Sequence, residues 1–291
     1  MRTRLSTDQF VKSHGLGNDY IVLDESRLSR PLSAEAVRRI CDIHYGVGSD
    51  GILLLTSGVG AEFGVRIFNP DGSEAEKSGN GLRILSKFLY DHGYTDKPEF
   101  TVSTAGGLVR ARLHLEANRV AAITMDMGRA TFVSAEIPVA GPRREVVRAP
   151  LEVEGRKLFV TCVSVGNPHC VIFTDTLDEE EVRRLGPTIE HHASFPNRIN
   201  VEFAKVLGRD RISVLIWERG AGYTLASGTS SCAVAAASVR NGLTDRRVTI
   251  VSPGGELAIS VAENWDLTLT GPASEIACGT LSQDLLQGLP G

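Results

Sequence analysis

The sequence predicts an α/β fold of the α+β type with two pseudosymmetric domains, each a mostly antiparallel mixed sheet around a central helix. Two observations predict it. One set of landmarks recurs at a spacing of 149 residues, and short β-rich runs alternate with a few amphipathic helices. The 291 residues exceed the usual size of one domain, whereas half of that length is typical.

The repeat is clearest around two serines. Residues 78–81 read Ser-Gly-Asn-Gly and residues 227–230 read Ser-Gly-Thr-Ser, so Ser227 follows Ser78 by 149 residues. Gly17 and Asn18 precede Ser78 by 61 and 60 residues, and the pair at 166–167 precedes Ser227 by the same distances. An internal duplication explains this spacing. Two similar halves that face each other would present one serine each to a shared cleft.

The duplication sets the domain boundaries that we predict. The N-terminal domain takes residues 1–128 plus 275–291, and the C-terminal domain takes residues 129–274. Residues 128–149 are the expected crossover between the halves, although this segment is not rich in Pro or Ser.

Four helices are predicted, at 33–43, 81–92, 178–185 and 231–241. The first begins at Ser33, because serine is a favoured cap residue and Glu35 and apolar residues follow it. Strands are predicted at 20–23, 51–55, 64–68, 99–103, 108–113 and 120–127 in the first half. In the second half they are predicted at 159–165, 171–173, 200–206, 212–217, 248–251, 257–261 and 267–270. The sequence does not identify a partner for the last of these.

Composition narrows the function classes. Hydrophobic residues make up 42% and charged residues 23%, and no apolar run approaches the ~20 residues that span a bilayer. The first residues lack the apolar core of a secretory signal, so we expect a cytoplasmic protein. A net charge of -4 without a basic block argues against nucleic acid as a partner. The five cysteines and seven histidines show no metal-ligand spacing, so we expect no metal.

The two serine turns are the strongest candidates for a site. Each follows a strand and precedes a helix, where the first N–H groups lack intrahelical partners and favour an anion such as a carboxylate. The small residues beside each serine let a ligand approach the backbone. The alternative interpretation is that each serine only caps its helix, which serine commonly does.

Six motifs follow one another along nearly the whole chain. They are His-Gly-Leu-Gly-Asn-Asp-Tyr at 14–20, Phe-Asn-Pro-Asp-Gly-Ser-Glu-Ala-Glu at 68–76, Gly-Asn-Gly at 79–81, Gly-Asn-Pro-His at 166–169, Asn-Val-Glu-Phe at 200–203 and Glu-Arg-Gly-Ala-Gly at 218–222. Together they resemble the motifs of the diaminopimelate epimerase family. The resemblance implies a cofactor-independent epimerase of two pseudosymmetric α/β domains, in lysine biosynthesis. In this family two cysteines remove and return a proton on opposite faces of the substrate α-carbon.

The chain departs from the family at the two catalytic positions, where it has Ser78 and Ser227. It also has Lys77 in place of an uncharged residue and Tyr223 where many members have Glu. A serine hydroxyl ionises roughly five pKa units above a thiol, so its alkoxide costs about 7 kcal/mol more. A serine base therefore needs a neighbour that activates it. The candidate catalytic residues are Ser78, Ser227, His169, Glu218 and Lys77, and Lys77 could itself be the base.

The resemblance also implies a set of substrate-binding residues. Arg219 suits a carboxylate because its guanidinium is a planar fork, and asparagine offers both a donor and an acceptor. We expect Cys170 and Cys232 to pack in the core. The expected partner is an amino-acid or carboxylate substrate. The sequence leaves open whether the protein forms a homodimer. The candidate binding residues are Asn18, Asn69, Gly79, Asn80, Asn167, Asn200, Glu218, Arg219, Gly228 and Thr229.

Three functions compete at this point. The first is an amino-acid epimerase or racemase that moves the α-proton without a cofactor. The second is an isomerase of the same fold that shifts a double bond in a small di- or tricarboxylate, with Lys77 or a serine as its base. The third is a non-catalytic binder that kept the pocket and lost the bases. Two deliberate Cys→Ser replacements would produce the same sequence. The sequence of the natural gene shows whether the serines are natural or introduced.

Overall fold

The computed structural model describes residues 3–76 and 78–287. The chain divides into two compact units, Met1–Met125 with Gly271–Gly291, and Asp126–Thr270. The described helices are α1 Ala34–Cys41, α2 Gly79–Asp91, α3 Glu179–Glu190, α4 Gly228–Arg240 and α5 Gln283–Gln287. The described strands are β1 Gln9–Gly15, β2 Asn18–Asp24, β3 Ile52–Ser57, β4 Phe63–Phe68, β5 Glu74–Ala75, β6 Glu99–Thr104, β7 Gly107–Glu116, β8 Arg119–Arg129, β9 Ala149–Val153, β10 Arg156–Ser164, β11 Pro168–Phe173, β12 Asn200–Gly208, β13 Arg211–Glu218, β14 Gly222–Thr224, β15 Arg247–Ser252, β16 Gly255–Val261, β17 Asp266–Gly271 and β18 Ser274–Thr280.

The sheet of the first unit runs in the order β18-β1-β2-β3-β4-β6-β7-β8, and β5 forms a short hairpin with β4. The pairs β2/β3 and β4/β6 are parallel, and the other neighbours are antiparallel. This confirms the predicted mixed, mostly antiparallel sheet for this half.

The second unit repeats that order as β9-β10-β11-β12-β13-β15-β16-β17, with β14 paired to β13. Here β11/β12 and β13/β15 are the parallel pairs. The strand predicted at 267–270 is β17, and its partner is β16. The fold class is therefore confirmed in both units.

Each sheet packs against one buried helix. In the first unit α2 packs on β1, β2, β3 and β7, and in the second α4 packs on β10, β11, β12, β15 and β16. Both helices have 13 residues, and their first residues lie 149 apart. The alanines of α4 let it lie close to its sheet, and Cys232 is fully buried among them, as predicted.

Helix bounds differ from the prediction in a way that matters for the site. Helices α2 and α4 begin at Gly79 and Gly228, directly after the two serines, rather than at 81 and 231. Glycine and polar residues are poor helix formers, so propensity alone placed the starts too late. Tertiary contacts hold these residues in the first turn instead.

Helix α3 also runs beyond its predicted end at 185. It continues through Pro187 to Glu190, because Leu185 and Ile189 are buried in the core beside β12 and β13. Pro187 cannot donate to the Arg183 carbonyl, but Arg183 lies at the exposed surface, where water can serve that oxygen. Among the described residues no helix is long and apolar enough to cross a membrane.

Gly186 brings α3 against the strand that ends at the predicted site residue Glu218. A Cβ atom at Gly186 would lie 2.5 Å from Trp217 Cγ, and Trp217 Nε1 donates a hydrogen bond of 2.8 Å to Glu190 Oε2. The missing side chain therefore lets the Trp217 ring pack flush on the helix.

We expect Gly186→Ala to lower the free energy of unfolding by about 1–3 kcal/mol, because the added methyl overpacks the contact with Trp217. Helix propensity alone predicts a gain of up to about 1 kcal/mol, so the sign of the change is diagnostic. Urea unfolding measures it. Gly208→Ala is the matched control, since its Cβ would meet only Asp210 Oδ1, at 3.5 Å. Equal or greater stability of Gly186→Ala would contradict this packing.

Candidate functional site

Ser78 caps helix α2 in the first unit. Its Oγ accepts a hydrogen bond of 3.0 Å from the Gly81 N–H and lies 3.3 Å from the hydroxyl oxygen of Tyr20. Gly79 and Asn80 are buried in the first turn, where helix geometry provides no intrahelical acceptor for their N–H groups. Lys77 lies outside the described residues.

A chain of amide hydrogen bonds runs from this turn into the first unit. Asn80 Nδ2 donates to Asn18 Oδ1 at 3.2 Å, and Asn18 Nδ2 donates to Asp50 Oδ2 at 3.0 Å. The buried Arg83 donates to Asn80 Oδ1 at 2.9 Å and to the Gly79 carbonyl at 3.2 Å. Burial raises the pKa of the Asp50 carboxyl. The structure thus brings Asn18, Gly79 and Asn80 together and fixes both amides.

Asn69 lies apart from that chain of hydrogen bonds. Its Nδ2 donates to Ser73 Oγ at 3.0 Å within the turn that joins β4 to β5, and Ser73 in turn donates to Asp71. The contacts described for Asn69 therefore serve its own turn.

Ser227 caps helix α4 in the second unit and is more deeply buried than Ser78. Its Oγ accepts from the Ser230 N–H at 3.5 Å and lies 3.5 Å from Thr229 Oγ1. The capping bond is longer than that of Ser78, so it holds the Ser227 hydroxyl less tightly. Gly228 opens the helix beside it.

Glu218, the last residue of β13, lies next to Ser227, whose hydroxyl lowers the pKa of the Glu218 carboxyl. Glu218 Oε1 accepts a hydrogen bond of 2.9 Å from Thr224 Oγ1. The residue is part-exposed as a whole, but burial of the carboxyl raises its pKa above the ordinary value of 4.5, and both hydroxyl contacts oppose that shift. A carboxylate with a raised pKa is a stronger base than an ordinary one.

His169 on β11 is fully buried beside the same turn. Its Nδ1 lies 2.7 Å from Glu202 Oε1, and its Nε2 lies 2.9 Å from Asn167 Oδ1. Asn167 Nδ2 donates to Thr229 Oγ1 at 3.4 Å. His169 therefore reaches the N-terminus of α4 through Asn167 and Thr229, and its described hydrogen bonds do not include Ser227.

Asn200 and Arg219 sit at the end of the parallel β11/β12 pair. Asn200 Nδ2 donates to the Pro168 carbonyl at 2.8 Å, and Asn200 Oδ1 accepts from the Arg219 N–H at 2.9 Å. Both ends of this amide thus bind the backbone. The Arg219 guanidinium donates to the Asn197 carbonyl at 3.1 Å and is exposed.

Sequence reasoning missed five polar residues of these networks. One had a signal: Tyr20 precedes His169 by 149 residues, so the repeat pairs them. Asp50 and Glu202 lie 32 and 33 residues from their partners Asn18 and His169. Arg83 and Thr224 lie close in sequence to their partners, but no motif gave them a role. Among the described residues, no group of three or more His, Cys, Asp or Glu is arranged to hold a metal ion. The missed residues are Tyr20, Asp50, Arg83, Glu202 and Thr224.

Comparison with known proteins matches residues 10–133 and 161–276 to the family described as diaminopimelate epimerase. Diaminopimelate epimerase 2 of Nostoc sp. (strain PCC 7120) is 44% identical, over 95% of this chain and 96% of that protein. Diaminopimelate epimerase of Pelotomaculum thermopropionicum is 43% identical, over 93% and 97%. Among solved structures, a probable proline racemase from Agrobacterium radiobacter K84 superposes with a TM-score of 0.71 at 15% identity, over 96% of this chain and 94% of that chain, which shows a shared fold.

Glu218→Gln should stabilise the protein at high pH. Because burial raises the pKa of Glu218, the folded state carries a cost once the carboxyl ionises, and below pH 4.5 that cost is absent. Stability due to this group therefore falls as the pH rises from 4.5 through the raised pKa. We expect the variant to melt above the wild type at pH 8, by about 2–4 °C per kcal/mol relieved. The difference should shrink towards pH 4.5. Thermal unfolding at several pH values measures it, and a constant or inverted difference would contradict the burial of this charge.

Proposed function

Because the chain belongs to the diaminopimelate epimerase family, we propose that it inverts the α-carbon of diaminopimelate or a closely similar amino acid. The family resemblance predicted from the motifs is confirmed, and the chain is an isomerase of the racemase and epimerase type that works without pyridoxal phosphate. The open points are its substrate and how it works with serine at both catalytic positions. A cytoplasmic location also stays a prediction.

One observation carries the proposal: the Glu218 carboxyl, whose pKa is raised by burial, lies next to the Ser227 hydroxyl. As Ser227 Oγ takes the substrate α-proton, its own hydroxyl proton passes to the Glu218 carboxylate. The α C–H bond and the serine O–H bond break, and an O–H bond forms on each oxygen. A free serine alkoxide, about 7 kcal/mol costlier than a thiolate, never forms.

The helix starts would hold the substrate carboxylate. The N–H groups of Gly79, Asn80, Gly228 and Thr229 lie at the positive ends of α2 and α4, which favour an anion. Negative charge develops on that carboxylate when the α-proton leaves, so these donors stabilise the transition state more than the ground state. This role does not depend on whether the capping residue is serine or cysteine.

The other face of the α-carbon is assigned to Ser78. The partners described for its hydroxyl are the Gly81 N–H and the Tyr20 hydroxyl, and neither is a base near neutral pH. Ser78 therefore acts as the donor that returns a proton. From the sequence, Lys77 is the candidate that reprotonates Ser78. The partners described for Ser78 include no base, and this also favours a second function, that of a non-catalytic amino-acid binder.

Proton exchange in deuterium oxide tests the Glu218 relay. We expect the purified protein to exchange the α-proton of LL- and meso-diaminopimelate, followed by proton NMR. Glu218→Gln should reduce the rate by about 100-fold or more, because it removes the proton acceptor and keeps the hydrogen-bonding shape. An unchanged rate in Glu218→Gln would exclude the relay.

Restoring the thiols tests the role assigned to both serines. We expect the double variant Ser78→Cys and Ser227→Cys to exchange and epimerise at least about 100-fold faster, since a thiolate forms at much lower cost. Ser213→Cys on β13, away from both turns, is the matched control. If the wild type binds diaminopimelate without exchange and the double variant turns it over, the chain is the binder. If neither protein binds or exchanges any amino acid, the epimerase proposal is wrong.

A further inference from the structure

Glu202 is a buried carboxyl that none of the steps above uses. It lies on β12 with no exposed surface, and its Oε1 is 2.7 Å from His169 Nδ1. His169 is opposite Asn200 in the parallel β11/β12 pair, which puts Glu202 two residues along, on the same side of the sheet. Its other oxygen, Oε2, has no hydrogen-bond partner within residues 3–76 and 78–287. A carboxyl so enclosed depends on its contact with His169.

The first unit shows that the fold does not need this carboxyl. There the parallel β2/β3 pair has the same architecture, with Tyr20 and Leu53 at the positions that precede His169 and Glu202 by 149 residues. Tyr20 contacts Ser78 directly, and Leu53 is fully buried in an apolar setting. An apolar residue thus satisfies the same place in the sheet. Strand pairing therefore does not require Glu202, and its described side-chain contact is with His169.

The contact determines which end of the imidazole faces the helix start. An ionised carboxyl accepts hydrogen bonds and cannot donate them, so His169 Nδ1 carries a proton. Nε2 lies 2.9 Å from Asn167 Oδ1, and because an amide oxygen only accepts, Nε2 also donates its hydrogen in this contact. Asn167 presents its other end, Nδ2, to Thr229 at the first turn of α4.

We propose that Glu202 is a positioning residue that holds His169 by its Nδ1–H and thereby orients the Asn167 amide at the helix start. An asparagine side chain has one donor end and one acceptor end, so a turned amide offers a ligand the wrong group. The inference rests on the proposed function for the idea that Asn167 binds the substrate. The hydrogen-bond chain itself can be tested without any substrate.

Nitrogen-15 NMR of histidine-labelled protein tests the first link. His169 is assigned by the loss of its signals in His169→Gln. We expect a protonated, exchange-protected Nδ1 in the wild type, and the same Nδ1–H signal in the isosteric Glu202→Gln, whose amide oxygen still accepts. Glu202→Leu copies the first unit and should lose the protected Nδ1–H signal. Glu190→Gln is the matched control, a second buried glutamate of this unit whose described partners are Arg198, Trp217 and Gly220. It should leave the His169 signals unchanged.

Kinetics test the second link. We expect Glu202→Leu to raise KM for diaminopimelate about tenfold, an effect of the size seen when a metal-bound histidine loses its second hydrogen-bond partner, and to change kcat less than twofold. Glu202→Gln should restore KM to within about twofold. A purely structural role for Glu202 would lower stability in both variants and would not separate KM from kcat.

The outcomes separate the two proposals. If Nδ1 is unprotonated in the wild type, or if its signal survives in Glu202→Leu, the positioning role is wrong even where turnover is normal. If Glu202→Leu does not fold, Glu202→Gln decides, because loss of the protected Nδ1–H signal there overturns the proposal. If no protein turns over the substrate but the His169 signals are as expected, the proposed function is wrong. The hydrogen-bond chain is then still supported.

Discussion

The start of a buried helix is the constraint on which the site depends. Helices α2 and α4 begin among buried residues, and their first N–H groups have no acceptor within the helix. Unpaired buried donors are costly, so polar side chains must converge there. Ser78 and Ser227 each accept one N–H, and the small residues that follow keep the remaining donors accessible. A place able to hold a carboxylate therefore arises from the same requirement that lets a helix pack against each sheet.

The two halves satisfy that requirement with different chemistry. In the first unit the side chains beside the helix start are amides tied to the buried Arg83 and to Asp50, apart from the Tyr20 hydroxyl. In the second unit the corresponding region holds His169, Glu202 and Glu218. A duplicated scaffold has thus kept its backbone order while the side chains around its two helix starts have diverged.

Much of the fold and part of the site could be predicted without coordinates. The spacing of 149 residues located both serine turns, and apolar runs located the strands that are rich in β-branched residues. Strands β1 and β18 were missed because they pair with each other from opposite ends of the chain, and β9 was missed although it pairs with the adjacent β10. The motifs identified Asn18, Asn167, His169 and Glu218, whereas Thr224, and Glu202 within the motif at 200–203, were given no role.

The sequence by itself determined the duplication, the family and the departure from it at Ser78 and Ser227. These properties follow from residue identity and order alone, and the repeat shows which positions of the two halves correspond. Only the tertiary structure showed which candidates lie next to one another. Lys77, His169 and Glu218 were all candidates by sequence; in the described residues Glu218 lies next to Ser227, and His169 Nδ1 is 2.7 Å from Glu202 Oε1. The reason is physical: burial and short distances set the basicity of a group, and neither quantity exists before strands from distant parts of the chain are paired.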